Sequence, residues 1–146
     1  MSYEYSEDNL VEQTAIDLFH DRLGWDTAIA YNKETFGEGS SLGRGSKKEI
    51  ILKRNFLQKL KQFNPNLPDQ AYTQAYEKLQ EDSSTKTLGE LNLDKYLLLK
   101  DGIPVDYTNE KGELIKEKKL KVFDFEEATN NDFLAVRQLW IEGKSR

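Results

Sequence analysis

The chain has 146 residues, which is the usual size of one domain and is enough to bury a core. Hydrophobic residues make up 37% and charged residues 32%, a balance typical of a globular rather than a disordered protein. There is no cysteine, which excludes disulfides and thiolate metal sites, and no apolar run approaches the roughly 20 residues of a membrane helix. The N-terminus is polar, unlike a signal peptide. We therefore expect one domain over residues 1–146, in the cytoplasm and without membrane contact.

The first third of the chain predicts a helix, a strand and a loop. Ser6 is a good helix N-cap, and apolar residues at helical spacing follow it over residues 11–23. Residues 25–31 (WDTAIAY) are typical of a short strand. Residues 32–46 carry four glycines and predict a loop, but no Gly-Lys pair occurs there, so the spacing excludes a Walker-type phosphate loop.

A basic segment follows the loop. From Arg44 to Lys61 there are seven positive residues and one negative, a local charge of +6 in a chain of net charge −5. Apolar residues at helical spacing predict a helix over residues 47–63 whose other face is basic. This face is either merely solvated or contacts phosphate, where each basic residue would release counterions on binding. The candidate DNA-binding residues are Arg44, Lys47, Lys48, Lys53 and Arg54.

Two further helices are predicted between residues 68 and 102. Pro68 and Asp69 begin the first, and its tyrosines recur at helical spacing, which is more typical of core residues than of platforms for stacked bases. The second covers about residues 88–99 and ends before Gly102.

The remaining elements are strands. Alternating apolar residues predict a strand over 103–107, which returns through a turn at 109–112 to an antiparallel partner. Two apolar runs, 120–125 and 133–141, are long and β-rich enough to be strands in the middle of a sheet. The predicted fold class is therefore α/β (α+β), with a mixed sheet flanked by helices.

Three stretches together carry a resemblance: 42–79 (LGRGSKKEIILKRNFLQKLKQFNPNLPDQAYTQAYEKL), 101–114 (DGIPVDYTNEKGEL) and 122–146 (VFDFEEATNNDFLAVRQLWIEGKSR). In order and spacing they resemble the start of the restriction (R) subunit of type I restriction–modification enzymes. That family has a Gly-Arg loop before a basic helix, an Asn-Pro-x-x-Pro turn, an Asp-Gly-x-x-Val strand and an Asn-Asn-Asp-Phe turn. The similarity covers about residues 12–146.

The resemblance implies a restriction-endonuclease-like domain of the PD-(D/E)xK class, next to an ATP-driven DNA motor. In that class acidic residues hold Mg²⁺, which activates water for attack on a phosphodiester, and a lysine stabilises the developing charge. It therefore implies Mg²⁺ and ATP as cofactors of the full-length subunit, with none expected in this chain. The implied partners are double-stranded DNA and the modification (methyltransferase) and specificity subunits.

Two acidic residues match family positions. Glu12 is a candidate beside the metal; its other interpretation is a solvated helix residue. Asp124 would end a strand before a turn, where an aspartate more commonly caps backbone amides. His20 is the only histidine and has no convincing partner. The Glu-Lys runs within 113–119 lie on a predicted hairpin and are not interpreted as catalytic.

The family places its Pro-Asp and Glu-x-Lys motifs just after the stretch matched by residues 122–146. We therefore expect the domain to be incomplete at its C-terminus, from an engineered fragment or a truncated gene, and to be unable to cleave DNA alone. Incubation of the purified chain with plasmid and Mg²⁺ checks this expectation, and nicking that EDTA abolishes would contradict it. The alternative function is a non-catalytic binding or scaffold domain whose basic helix docks an acidic partner.

Overall fold

The structure is a computed structural model that describes residues 8–30 and 34–143. Over these residues the fold is mixed α/β, as predicted, with four helices and four strands. None of the described helices is long and apolar enough to cross a lipid bilayer. In chain order the elements are α1 (with the segments Asp8–Glu12, Gln13–Asp17 and Leu18–Arg22), β1 (Asp26–Ile29), α2 (Lys53–Phe63), α3 (Asp69–Gln80), α4 (Leu88–Asp101), β2 (Ile103–Thr108), β3 (Leu114–Leu120) and β4 (Leu134–Arg137).

The internal contacts divide the chain into two units. Of the described residues, those within 1–50 and 132–146 form unit 1, and those within 51–131 form unit 2. Each unit contains one pair of strands, so the described strands form two small sheets rather than the single sheet expected. That residues 1–146 act as one domain stays a prediction.

Unit 1 joins α1 to the parallel pair β1 and β4, which lie in register along all four positions. The predicted helix is confirmed, and it ends as expected because Gly24 takes a left-handed conformation (φ +68°) that favours glycine. Trp25 is stacked between Phe19 and Phe133, with ring centroids 4.7 and 5.0 Å away. This stack fastens the end of α1 to the start of both strands. Ser6, the predicted N-cap, lies outside the described residues.

Unit 2 packs helices against the antiparallel pair β2 and β3. The prediction that the tyrosines of α3 belong to a core is confirmed, since Tyr72 and Tyr76 are 5% and 7% exposed. Thr87 and Glu90 form a capping box at the start of α4, and Gly102 ends that helix. The buried core consists of Leu60, Ala71, Tyr72, Ala75, Leu79, Ile103, Val105, Leu120 and Val122.

Two predicted strands are shorter than expected. The run 120–125 is wrong as a strand, because β3 ends at Leu120 and the side chain of Asn64 then takes both the N–H and the carbonyl of Lys121. In the run 133–141 only β4 is paired, and Gln138 turns to a left-handed conformation (φ +50°) directly after it. The two runs belong to different sheets and do not pair with each other.

The predicted start of α2 is also wrong. The helix begins at Lys53 rather than at residue 47, because the backbone before it has other hydrogen-bond partners. The carbonyl of Glu49 accepts from Arg44, and the carboxylate of Glu49 accepts from the N–H of Gly45. The hydroxyl of Ser46 accepts from the N–H of Lys48. These local bonds hold residues 45–49 in turns that compete with a helix.

Candidate functional site

Glu12 lies where α1 meets the end of β4. Its Oε2 accepts a hydrogen bond from Gln138 Nε2 at 2.8 Å and lies 3.7 Å from Arg137 Nε. One residue on, Gln13 Oε1 accepts from Arg137 Nη1 at 2.7 Å. The Glu12 side chain is 29% exposed, so it is not the solvated helix residue of the second interpretation. Its role beside a metal stays a prediction.

A cleft of about 340 Å³ lies between α1 and β1 in the same unit. Asp17, which accepts from Gln13 at 2.7 Å, lines it together with Arg137. His20 also lines it, but its Nδ1 lies 3.1 Å from the exposed carboxylate of the adjacent Asp21. Within residues 8–30 and 34–143, no cluster of three or more His, Asp or Glu side chains could hold a metal ion.

Arg44 does not lie on the surface. Its guanidinium is buried and donates to both carboxylate oxygens of Glu34, at 2.7 and 2.5 Å. It also donates to the carbonyl of Glu49 and to that of Trp140, each at 3.0 Å. The hydrogen bond to Glu34 raises the pKa of Arg44 above its ordinary value. We call this arrangement the Arg44 clasp.

The prediction that Arg44 contacts DNA is wrong for this structure, because the residue is buried in the clasp. Arg44 is 1% exposed and its donors are engaged by the protein, so it cannot reach a backbone phosphate in this structure. Its partners Glu34 and Trp140 were missed by the sequence analysis. No local pattern could have identified Trp140, which lies 96 residues further along the chain.

The other four predicted DNA-binding residues are exposed. Lys47 and Lys48 lie in unit 1, where Lys47 Nζ sits 5.5 Å from the centre of the Trp140 ring. Lys53 and Arg54 lie in unit 2, in the first turn of α2, and Lys53 Nζ sits 5.0 Å from the centre of the Tyr76 ring.

The first turn of α2 carries positive charge, which is unfavourable at the N-terminus of a helix. A helix N-terminus bears a partial positive charge, so Lys53 and Arg54 cost stability there, and no acidic residue occurs in the turn to compensate. The Tyr76 ring offsets part of this cost through a cation–π contact with Lys53. Two cations placed against the helix dipole are poorly explained by the stability of the helix itself.

Asp124 holds the turn after β3 together. Its carboxylate accepts from the amide of Asn130 at 2.9 Å and from the N–H groups of Glu127 and Glu126 at 3.0 and 3.1 Å. In that order these bonds hold the pKa of Asp124 well below its usual 3.8. The interpretation of Asp124 as a cap of backbone amides is therefore confirmed.

Because the pKa of Asp124 is lowered in the folded chain, its contribution is present above the unfolded pKa of about 3.8 and is lost as the pH falls below it. We expect Asp124→Asn to lower the melting temperature by several degrees at pH 7 and by progressively less below pH of about 4. Thermal melts over this pH range test it, with the exposed Glu110→Gln as control. A gap between variant and parent that is constant with pH would contradict this account.

The comparisons with known proteins agree with each other. The sequence model of the family described as "Type I restriction enzyme R protein N terminus" matches residues 4–146. The chain is 30% identical over 141 residues to the type I restriction enzyme HindI endonuclease subunit of Haemophilus influenzae. This alignment covers 94% of the chain but 12% of that relative. No solved structure matches the chain.

Proposed function

Because the chain belongs to the family of type I restriction enzyme R protein N termini, as the resemblance in its sequence predicted, we propose that it forms the DNA-contacting part of a nuclease domain in such a subunit. The complete subunit would cleave double-stranded DNA in the cytoplasm, with Mg²⁺ and ATP. Its partners would be the modification (methyltransferase) and specificity subunits. These activities belong to the proposal for the whole protein, since the chain spans 12% of the length of the relative.

The observation that carries the proposal is the exposure of Lys47, Lys48, Lys53 and Arg54. Within the described residues, neither Lys47 nor Lys48 has a carboxylate within ion-pair distance. Lys53 and Arg54 remain on α2 despite their cost at its N-terminus. Such cations suit phosphate oxygens, which require positive charge and no particular base.

The geometry around Glu12 sets a limit on the chemistry assigned to this chain. Mg²⁺ is usually held by one or two carboxylates together with water and substrate phosphates. Glu12 instead pairs with Arg137 and accepts from Gln138, so it does not make a Mg²⁺ site by itself. We therefore assign no step of phosphodiester cleavage to the described residues, and we propose Glu12 only as one acidic neighbour of a metal in the complete subunit.

Binding to duplex DNA tests the proposal. Replacement of Lys47, Lys48, Lys53 and Arg54 by glutamine should weaken duplex binding and flatten its salt dependence, since log K falls with log[salt] by about 0.9 for each phosphate neutralised. Fluorescence anisotropy with labelled duplex from low to moderate salt measures both quantities. The pairs Lys47/Lys48 and Lys53/Arg54, replaced separately, apportion the effect between units 1 and 2.

A matched control removes the same charge elsewhere. Lys111, Lys116, Lys118 and Lys119 are exposed on the β2–β3 hairpin, and their replacement by glutamine also lowers the net charge by four. We expect this control to retain most of the parent's affinity and salt slope. Equal binding by the parent and by the Lys47/Lys48/Lys53/Arg54 variant at every salt concentration would show that these cations are only a solvated surface.

A further inference from the structure

The chain has two tryptophans, and they are used in opposite ways. Trp25 is sandwiched between Phe19 and Phe133, at interplanar angles of 10° and 17°. Trp140 is 54% exposed, although burying its indole would remove much apolar surface from water. The exposed indole of Trp140 lies beside Lys47 and so offers an aromatic face next to a cation.

Trp140 is exposed but its backbone is held firmly. The buried guanidinium of Arg44 donates to the Trp140 carbonyl at 3.0 Å, and the same nitrogen, Nη2, also donates to the carboxylate of Glu34. Two residues on, the N–H of Glu142 donates to the carbonyl of Lys47 at 2.9 Å. The Arg44 clasp thus presents the indole from a fixed backbone, which lowers the entropy that a ligand's binding would cost.

The surroundings of the indole are cationic. Lys47 Nζ lies 5.5 Å from the ring centre, and the neighbouring Lys48 is exposed. The carboxylates of Glu34 and Glu49 are engaged by Arg44 and by the N–H of Gly45, at distances of 2.5 to 3.1 Å. The ammonium of Lys47 therefore remains beside an aromatic face, the exposed Lys48 follows it in the chain, and Glu142 is an exposed acidic residue two positions after Trp140.

We propose that Trp140, Lys47 and Lys48 form a binding site for single-stranded DNA, in which an unpaired base stacks on the indole and the two lysines contact the flanking phosphates. Aromatic faces stack with any base, and lysines neutralise the backbone without reading sequence. Bases inside a duplex are already stacked on their neighbours, so the indole selects single strands. This inference rests on the proposed function, because it specifies which form of DNA Lys47 and Lys48 of unit 1 would bind.

Fluorescence reports the stacking directly. In a Trp25→Phe background Trp140 is the sole tryptophan, and stacking of a base on it should quench its emission. We expect short oligothymidylate to produce saturable quenching that salt reverses, and the matching thymidine–adenine duplex to produce little. Unchanged Trp140 emission in the presence of oligothymidylate, at concentrations where anisotropy shows binding, would overturn the site.

Substitutions separate stacking from general apolar contact in the otherwise native chain. Trp140→Leu keeps an apolar side chain but removes the aromatic face, so it should weaken binding of oligothymidylate about tenfold and leave duplex binding within about twofold. Trp140→Phe should restore part of the affinity. Ile141, which is 57% exposed and has no aromatic face, provides the control Ile141→Ala, whose Kd for either DNA should match the parent.

The outcomes distinguish this inference from the proposed function. If the parent binds duplex but Trp140→Leu and the parent bind oligothymidylate equally, the stacking site is overturned and the proposed duplex contact stands. An equal loss for duplex and single strand in Trp140→Leu overturns the selectivity for single strands. If the parent binds neither form of DNA, both proposals are overturned together.

Discussion

Replacement of Arg44 by alanine is expected to lower the free energy of unfolding of unit 1 by about 3–5 kcal/mol. The reason is that the guanidinium is fully buried and its removal leaves the carboxylate of Glu34, itself only 5% exposed, without a counter-ion. The carbonyls of Glu49 and Trp140 lose their donor in the same step. Buried groups left without partners cost more than the original pair contributes.

Hydrogen exchange measures this effect in the segments that the Arg44 clasp holds, residues 34–50 and 138–143. Lys48→Ala, an exposed change in the same loop, is the control and should alter stability by less than about 0.5 kcal/mol. Arg44→Lys should also destabilise, because an ammonium cannot reproduce the two-pronged contact with Glu34. Protection of both segments in Arg44→Ala equal to that in Lys48→Ala would contradict the role of the clasp.

Replacement of Leu60 by alanine is expected to destabilise unit 2 by about 2–5 kcal/mol. Leu60 is 1% exposed and is the residue by which α2 enters the core formed by α3, β2 and β3. The substitution removes buried methyl groups and leaves a cavity that the surrounding side chains fill only in part. We expect a large loss because Leu60 is the one fully buried residue that the structure describes on α2, whereas Phe56 and Leu57 are only partly buried.

Denaturant unfolding, with hydrogen exchange over residues 53–80, measures the effect of Leu60→Ala. Gln58→Ala, an exposed change on the same helix, controls for helix propensity and should have little effect. A stability of Leu60→Ala within about 0.5 kcal/mol of Gln58→Ala would show that α2 is not anchored through this residue.

The features that the sequence predicted correctly are those set by neighbours along the chain. Helix α3 follows from Pro68 and from tyrosines at helical spacing, and α1 ends at Gly24 because glycine accepts its left-handed conformation. The hairpin turn follows from Asn109, whose side chain accepts from the N–H groups of Lys111 and Glu113. Each of these signals acts over a few residues.

The features that the sequence did not predict depend on distant partners. Strand β1 pairs in parallel with β4, more than a hundred residues away, and nothing in either strand encodes this register. Arg44 was predicted to be a surface cation because it begins a run of basic residues. It is buried instead, and one of its partners, Trp140, lies 96 residues later in the chain. The same clasp delays the start of α2, because it takes the Glu49 carbonyl for itself.

The central claim is that this chain contacts the phosphates of duplex DNA without reading its sequence, and a competition between two duplexes tests it most directly. Two labelled duplexes of equal length and unrelated sequence are titrated with the chain at several salt concentrations. The account predicts that the Kd values for the two duplexes agree within about twofold and increase in parallel as the salt concentration increases. Replacement of Lys47, Lys48, Lys53 and Arg54 by glutamine should increase both Kd values by the same factor. Strong preference for one duplex, or no binding of either at low salt, would contradict it.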